Sequence, residues 1–202
     1  MNYSICVSGA AAGETVENAH DLAARLGLAI AKSGHILTTG ATVGLPLYAA
    51  RAAKEYGGKS IGFSPAASLR EHVNKYRLPI GFYDFVSFTG MHYVGRDVFL
   101  VQSSDAVITI GGRFGSLHEF TTALECRMPC GVLLGSGGAA DLIPGLMKQL
   151  QAPNEKLVVF DDNPERLVAK VIEMLDAEMK DINAKAIEHE WFMKSDAGNH
   201  EG

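Results

Sequence analysis

Between Gly111 and Glu119 the chain reads Gly-Gly-Arg-Phe-Gly-Ser-Leu-His-Glu, a glycine turn followed by a hydroxyl and, three residues on, a carboxylate. Gly111, Gly112 and Gly115 let the backbone reach positive φ and approach an anion closely, and the first N–H groups of a following helix add unpaired donors at the positive end of its dipole. A phosphate is the natural guest of such a turn. Three further clusters have the same character: Ser8-Gly9 to Gly13, Gly40 to Gly44 with Thr42 inside it, and Gly135 to Gly138. Any one of them is adequately explained as a tight turn. Four of them, each closing an apolar run, point to a phosphate site that includes Ser8, Gly9, Gly40, Thr42, Gly111, Gly112, Arg113, Phe114, Gly115 and Ser116.

Within that frame Ser116 can cap a helix or donate to a phosphate oxygen. Glu119 has two readings as well. Ser116-x-x-Glu119 is a capping box, in which the Glu bonds back to the cap amide. Alternatively, a carboxylate one turn from a phosphate nest faces the sugar of a bound nucleotide, where it stabilises oxocarbenium character or positions a water. Arg96 reads either as a surface salt bridge worth ~0–1 kcal/mol or as the group that orients Glu119 or grips a phosphate, which Arg does bidentately. Arg113, a bulky residue in a glycine turn, is expected to point out of the nest, to reach a phosphate or close part of the pocket. His92 and His118 are read as satisfied structural histidines, and Asp97 equally well as a solvated helix charge.

The elements that position these residues follow from apolar runs and helical spacing. Strands are expected at Ser4–Val7, Ile36–Thr38, Ser60–Phe63, Phe82–Phe88, Ala106–Ile110, Cys130–Leu134 and Leu157–Phe160. Helices are expected at Glu14–Ser33, from the Gly40–Gly44 turn to Tyr56, and at Met91–Ser103, Ser116–Arg127 and Ala139–Leu150, with a final one opened by Asn163-Pro164. Ser64 to Pro79 reads as a loop with one helical turn. Strands alternating with helices of this length imply a single-domain Rossmann-like α/β fold, a doubly wound parallel sheet with helices on both faces. Ligands then bind outside the carboxyl ends of the strands, where the glycine clusters fall. The expected organisation is a nucleotide-binding domain over residues 1–180 and a helical extension with a frayed tail over 181–202.

Composition narrows the classes further. The 202 residues carry 18 Lys and Arg against 23 Asp and Glu, a net charge of −5, so the basic footprint of a nucleic-acid binder is missing. No apolar stretch approaches the ~20 residues that span a bilayer, and the start lacks a signal-peptide pattern, so no membrane partner and a cytoplasmic location are expected. Cys6, Cys126 and Cys130 show no ligand or redox spacing, and no metal or cofactor is expected. The first loop, Gly9-Ala10-Ala11-Ala12-Gly13, lacks the dinucleotide fingerprint, and Thr38-Thr39-Gly40 ends the second strand without an acidic ribose ligand. Neither a P-loop nor a Gly-x-Ser-x-Gly elbow occurs, and no lysine sits in a Schiff-base context.

The segment Gly111 to Glu119 resembles the Pro-Gly-Gly-x-Gly-Thr-x-x-Glu motif of the LOG ("lonely guy") proteins, cytokinin-activating phosphoribohydrolases often labelled lysine decarboxylases. It is similar also to their nucleotide-binding relatives, including molybdenum cofactor carrier proteins. Met91-His92 with Arg96 resembles the family's Met-His-x-Arg-Lys helix, and Thr39 to Pro46 its Gly-Gly-Gly-x-x-Gly-Leu-Met turn. The likeness runs from about Ile5 to Leu175. It implies catalytic roles for Arg96 and Glu119, a phosphate turn at Gly112, Gly115 and Ser116, and a homodimer packed through helices near the site. Gly111 stands in the Pro position, as in the carrier-type relatives. Arg113 replaces a Gly and Ser116 a Thr, and two extra residues separate His92 from Arg96.

Two functions follow. One is a LOG-like phosphoribohydrolase that cleaves the N-glycosidic bond of nucleoside 5′-monophosphates to free base and ribose 5-phosphate. The other is a non-catalytic nucleotide or molybdenum cofactor binding or carrier protein.

Overall fold

The computed structural model describes residues 2–152 and 154–189, with side chains through residue 182. Seven strands form one sheet: β1 (Ser4–Gly9), β2 (Ile36–Thr39), β3 (Lys59–Ser64), β4 (Phe85–Phe88), β5 (Ala106–Ile110), β6 (Cys130–Leu133) and β7 (Val158–Asp161). Their order is β4-β3-β2-β1-β5-β6-β7, with every neighbouring pair parallel. The helices between them are α1 (Glu14–Lys32), α2 (Leu45–Glu55), α3 (Leu69–Asn74), α4 (His92–Gln102), α5 (Phe114–Glu125), α6 (Gly138–Leu150) and α7 (Pro164–His189). The expected doubly wound sheet is therefore what the chain forms. The strand order reverses between β1 and β5, and in open α/β sheets the crevice above such a reversal is where ligands bind.

Alternation along the central strands divides the core in two. Ile5 and Val7 of β1 face one side with Ile108 and Ile110 of β5, packing against Leu26 and Ile30 of α1, Ala49 of α2 and Leu167 and Val171 of α7. Cys6 and Val107 face the other side, against Leu100 of α4, Phe120 of α5 and Ile143 of α6. Both layers are predominantly apolar, as a parallel sheet covered on two faces requires, with Thr38, Ser60 and Thr109 buried among the strands. Tyr3 ties α7 to the start of β1 by donating its hydroxyl to Asp176 at 2.6 Å.

The structure departs from the sequence expectations in three places that have physical causes. The helical turn expected within Ser64–Pro79 is a six-residue helix, 69–74, because Ser68 caps it by accepting from the Glu71 amide at 3.2 Å while Glu71 accepts from the Ala67 amide at 2.7 Å. The strand expected from Phe82 begins only at Phe85, since the Asp84 carboxylate takes the Ser60 amide at 2.8 Å and so precedes the ladder. The helix expected from Ser116 begins at Phe114, which places Ser116 inside the first turn and not at the cap. The domain boundary expected at residue 180 falls within α7, and the tail expected over 195–202 lies outside the described residues.

Candidate functional site

A cleft of about 220 Å³ opens above the β1/β5 reversal. Its floor is the end of β1, where Ser8 and Gly9 lead into Ala10 and Ala11. Gly40 and Thr42 form one wall, Arg96 and Asp97 of α4 another, and Arg113 with Gly115, Ser116 and Glu119 of α5 the third. The N-terminal caps of α1, α2 and α5 are Gly13, Gly44 and Arg113, and none makes a side-chain capping bond. The start of α5 lines the cleft, and its first-turn amides are donors suited to an anion.

The capping-box reading of Ser116 and Glu119 fails because α5 begins two residues early. Glu119 instead turns inward, 7% exposed, and accepts a hydrogen bond from the Ser8 hydroxyl across the β1 end. Arg96 is 5% exposed, with Nη1 3.9 Å from Glu119 Oε1 and Nη2 3.3 Å from Asp97 Oδ1. The buried Nε of Arg96 has no hydrogen-bond partner, so a donor remains available beside the cleft. Burial, opposed by the Arg96 charge and assisted by Asp97, raises the Glu119 carboxyl to about 7, where it can both give and take a proton near neutral pH.

Gly40 makes this arrangement possible. A Cβ there would collide with the Arg96 guanidinium, so only glycine lets α4 deliver its arginine across the end of β2. Arg113, at the mouth, is exposed and makes no ion pair among the described residues. A free cation at the rim of a donor-rich cleft is suited to a phosphate.

Of the residues expected at the site, Ser8, Gly9, Gly40, Thr42, Arg96, Arg113, Gly115, Ser116 and Glu119 line this cleft. Gly111, Gly112 and Phe114 do not. The Gly111 and Gly112 carbonyls accept the Ala140 and Ala139 amides at 3.0 and 2.9 Å, and the Gly111 amide donates to Ser136 Oγ at 2.8 Å, so this pair joins α5 to the start of α6. Phe114 is 88% exposed and lines a separate apolar groove with Leu117, Leu142 and Leu146. The Gly135–Gly138 cluster is at the same sheet edge, but the Asp141 carboxylate accepts the Gly135 and Gly137 amides at 2.7 and 3.0 Å, so an internal anion already fills its donors. Two residues at the site, Asp97, expected equally well as a solvated helix charge, and Tyr93, were not among those expected there. Asp97 is buried, with Oδ2 3.2 Å from Nδ1 of His118, and the Tyr93 ring lies 6.0 Å from the Arg96 guanidinium carbon. Only the position of Asp97 beside Arg96 hinted at this; which face of α4 meets the cleft is a tertiary fact.

Comparisons with known proteins agree with this geometry at the level of family. An uncharacterized protein of Archaeoglobus fulgidus is 35% identical over 114 residues, 56% of this chain and 70% of its own length. Among solved structures, the molybdenum cofactor carrier protein of Chlamydomonas reinhardtii is 28% identical, with a TM-score of 0.71 over 87% of this chain and 99% of its own. The molybdenum cofactor binding protein of Rippkaea orientalis is 27% identical, with a TM-score of 0.69 over 87% and 98%. A model of the SLOG cluster4 family matches residues 2–168, which takes in every strand, the whole cleft and the Arg96–Glu119 pair: the chain belongs to that family.

Proposed function

We propose that the cleft binds a nucleoside 5′-monophosphate or a closely similar phosphate-bearing molecule and hydrolyses its N-glycosidic bond. The observation that carries the reading is the position of Glu119: buried at the cleft, held by Ser8 and flanked by Arg96, with its carboxyl raised to about 7. A carboxyl that only closed a capping box would lie at a helix end and have no reason to be desolvated. The phosphate sits against Gly115, Ser116 and the first turn of α5, with Arg113 over it. About 220 Å³ accommodates the sugar-phosphate half of a nucleotide, so the base extends towards Tyr93 and the open rim.

In the reaction the C1′–N bond breaks with its electron pair going to the base nitrogen, which takes up a proton. Water adds its oxygen to C1′ and gives up a proton. Glu119 is placed to hold that proton, and Arg96 to offset the negative charge of the carboxylate. The three described thiols are unpaired and no described helix is long and apolar enough to cross a membrane, which fits a cytoplasmic enzyme. Exposed Val94 and Phe99 on α4 and Phe114 on α5 suit a homodimer packed beside the cleft, and light scattering at twice 21.6 kDa is the expected reading, against a monomer's mass.

A carrier that binds without turnover is the second reading, favoured by the two molybdenum cofactor proteins at 27% and 28% identity. Incubation with a panel of nucleoside monophosphates, followed by chromatography for free base, separates the two. The proposal requires base and ribose 5-phosphate in equal amounts. Stabilisation by a nucleotide with no base released leaves the carrier.

A further inference from the structure

We propose that Asp97 and Glu119 form a carboxyl pair sharing one proton beside Arg96, in which Asp97 is the positioning residue that keeps the proton on Glu119 and His118 orients Asp97 from the cleft rim. Its use in turnover rests on the hydrolase reading; its existence does not.

The geometry supplies the argument. Two carboxyls and one guanidinium, all nine-tenths or more buried, would carry one uncompensated negative charge if both acids ionised, and removing such a charge from water is costly. One bound proton makes the cluster neutral. Arg96 is closer to Asp97, at 3.3 Å, than to Glu119, at 3.9 Å, and His118 Nδ1 lies 3.2 Å from the other Asp97 oxygen. The guanidinium and the imidazole thus both side with Asp97, and Glu119, which lies against the same guanidinium and whose carboxyl is raised by burial and by the Asp97 charge, holds the proton. Apart from His118 and Arg113, the groups around the pair are neutral. On β1, Ser8 donates to Glu119, and burial pushes the Cys6 thiol well above its usual range. Burial also keeps the Tyr83 phenol neutral near Arg96. On α5, His118 touches only Asp97, and Arg113 stands at the mouth.

Such a pair begins and ends each turnover with one proton. Through Glu119 it protonates the departing base nitrogen, leaving two carboxylates beside Arg96 to face the oxocarbenium ion. Water then bonds to C1′ and returns its proton to Glu119. His118, 39% exposed at its side chain, holds Asp97 in place from solvent side throughout.

Carbon-13 NMR of the Asp and Glu carboxyls in the wild-type protein tests the pair without substrate. The Glu119 carboxyl carbon is expected to titrate with a midpoint near 7. In Asp97→Asn the Glu119 midpoint is expected to fall by about one pH unit or more, since a like charge has been removed. A wild-type Glu119 midpoint in the ordinary carboxylate range overturns the pair, and so does an unmoved Glu119 midpoint in the folded variant. The wild-type titration can overturn it even if the variant does not fold. A Glu119 midpoint near 7 in a protein that releases no base keeps the pair and ends the hydrolase reading, whereas base release with an ordinary Glu119 midpoint does the reverse.

Discussion

Glu119 lies buried at the cleft, where it accepts a hydrogen bond from Ser8 and faces the Arg96 guanidinium. Its type and its spacing from Ser116 fit a cap as well as a catalyst; the early start of α5 and the contact with Ser8, 111 residues away, separate them. Because its folded value lies above the ordinary 4.5, Glu119 holds a proton in the native state that the unfolded chain has released between 4.5 and about 7. Its contribution to stability is therefore present below that window and lost as pH rises through it. Glu119→Gln removes the linkage, so the variant should gain stability relative to wild type on going from pH 5 to pH 8, by an amount on the order of 2 kcal/mol in denaturant titrations. A constant difference across that range contradicts the assignment. Asp84 and Glu165, held low by hydrogen bonds from Lys54 and Arg25 respectively, act in the acid range and leave this window clear. Arg113 makes a separate prediction. Arg113→Ala should weaken nucleotide monophosphate binding by roughly tenfold or more, the value of a charge-assisted hydrogen bond, with little effect on melting temperature. Calorimetric titration of the two proteins is the check.

At the scale of elements, most strands and helices were legible because apolar runs bounded by glycine leave few alternatives in a parallel sheet. The short α3 was legible only as one unplaced turn within a loop although Ser68-x-x-Glu71 spelled its cap, since six residues show no helical periodicity. The glycine clusters looked alike in sequence and proved unlike in structure. Gly40 admits the Arg96 side chain, Gly112 takes φ 90° to turn into α5, and Gly135 and Gly137 hold Asp141. No local pattern distinguishes a glycine that faces a ligand from one that receives a neighbouring side chain. The Gly40 position gives the sharpest test at this scale. Gly40→Ala must displace the Arg96 guanidinium from between Asp97 and Glu119, so it should cost about 1–3 kcal/mol through overpacking. Base release and nucleotide binding should both fall, whereas Ala in place of the distant, unobstructed Gly81 should leave both unchanged. Equal effects of the two substitutions contradict the proposed role of Gly40.

For the whole molecule, the doubly wound topology fixes where chemistry can occur before any side chain is considered. The order β4-β3-β2-β1-β5-β6-β7 places one reversal, between β1 and β5, and the cleft, the donor-rich starts of α2 and α5 and the Arg96–Glu119 pair all gather there. The sequence showed the fold class and this edge, since both depend on element order. It did not show that α4 turns Asp97 inward beside Arg96, because helix rotation is set by packing against β3 and α5 and not by local pattern. The same scaffold serves molybdenum cofactor carriers in its structural relatives, so fold alone does not assign turnover. The most direct measurement is the rate of free-base release from nucleoside 5′-monophosphates by wild type and Glu119→Gln, side by side at pH 7. The account predicts release by the wild type and a loss of about 10²–10⁴-fold in the variant, with nucleotide affinity retained. Equal rates in the two proteins, or no release by the wild type, would contradict it.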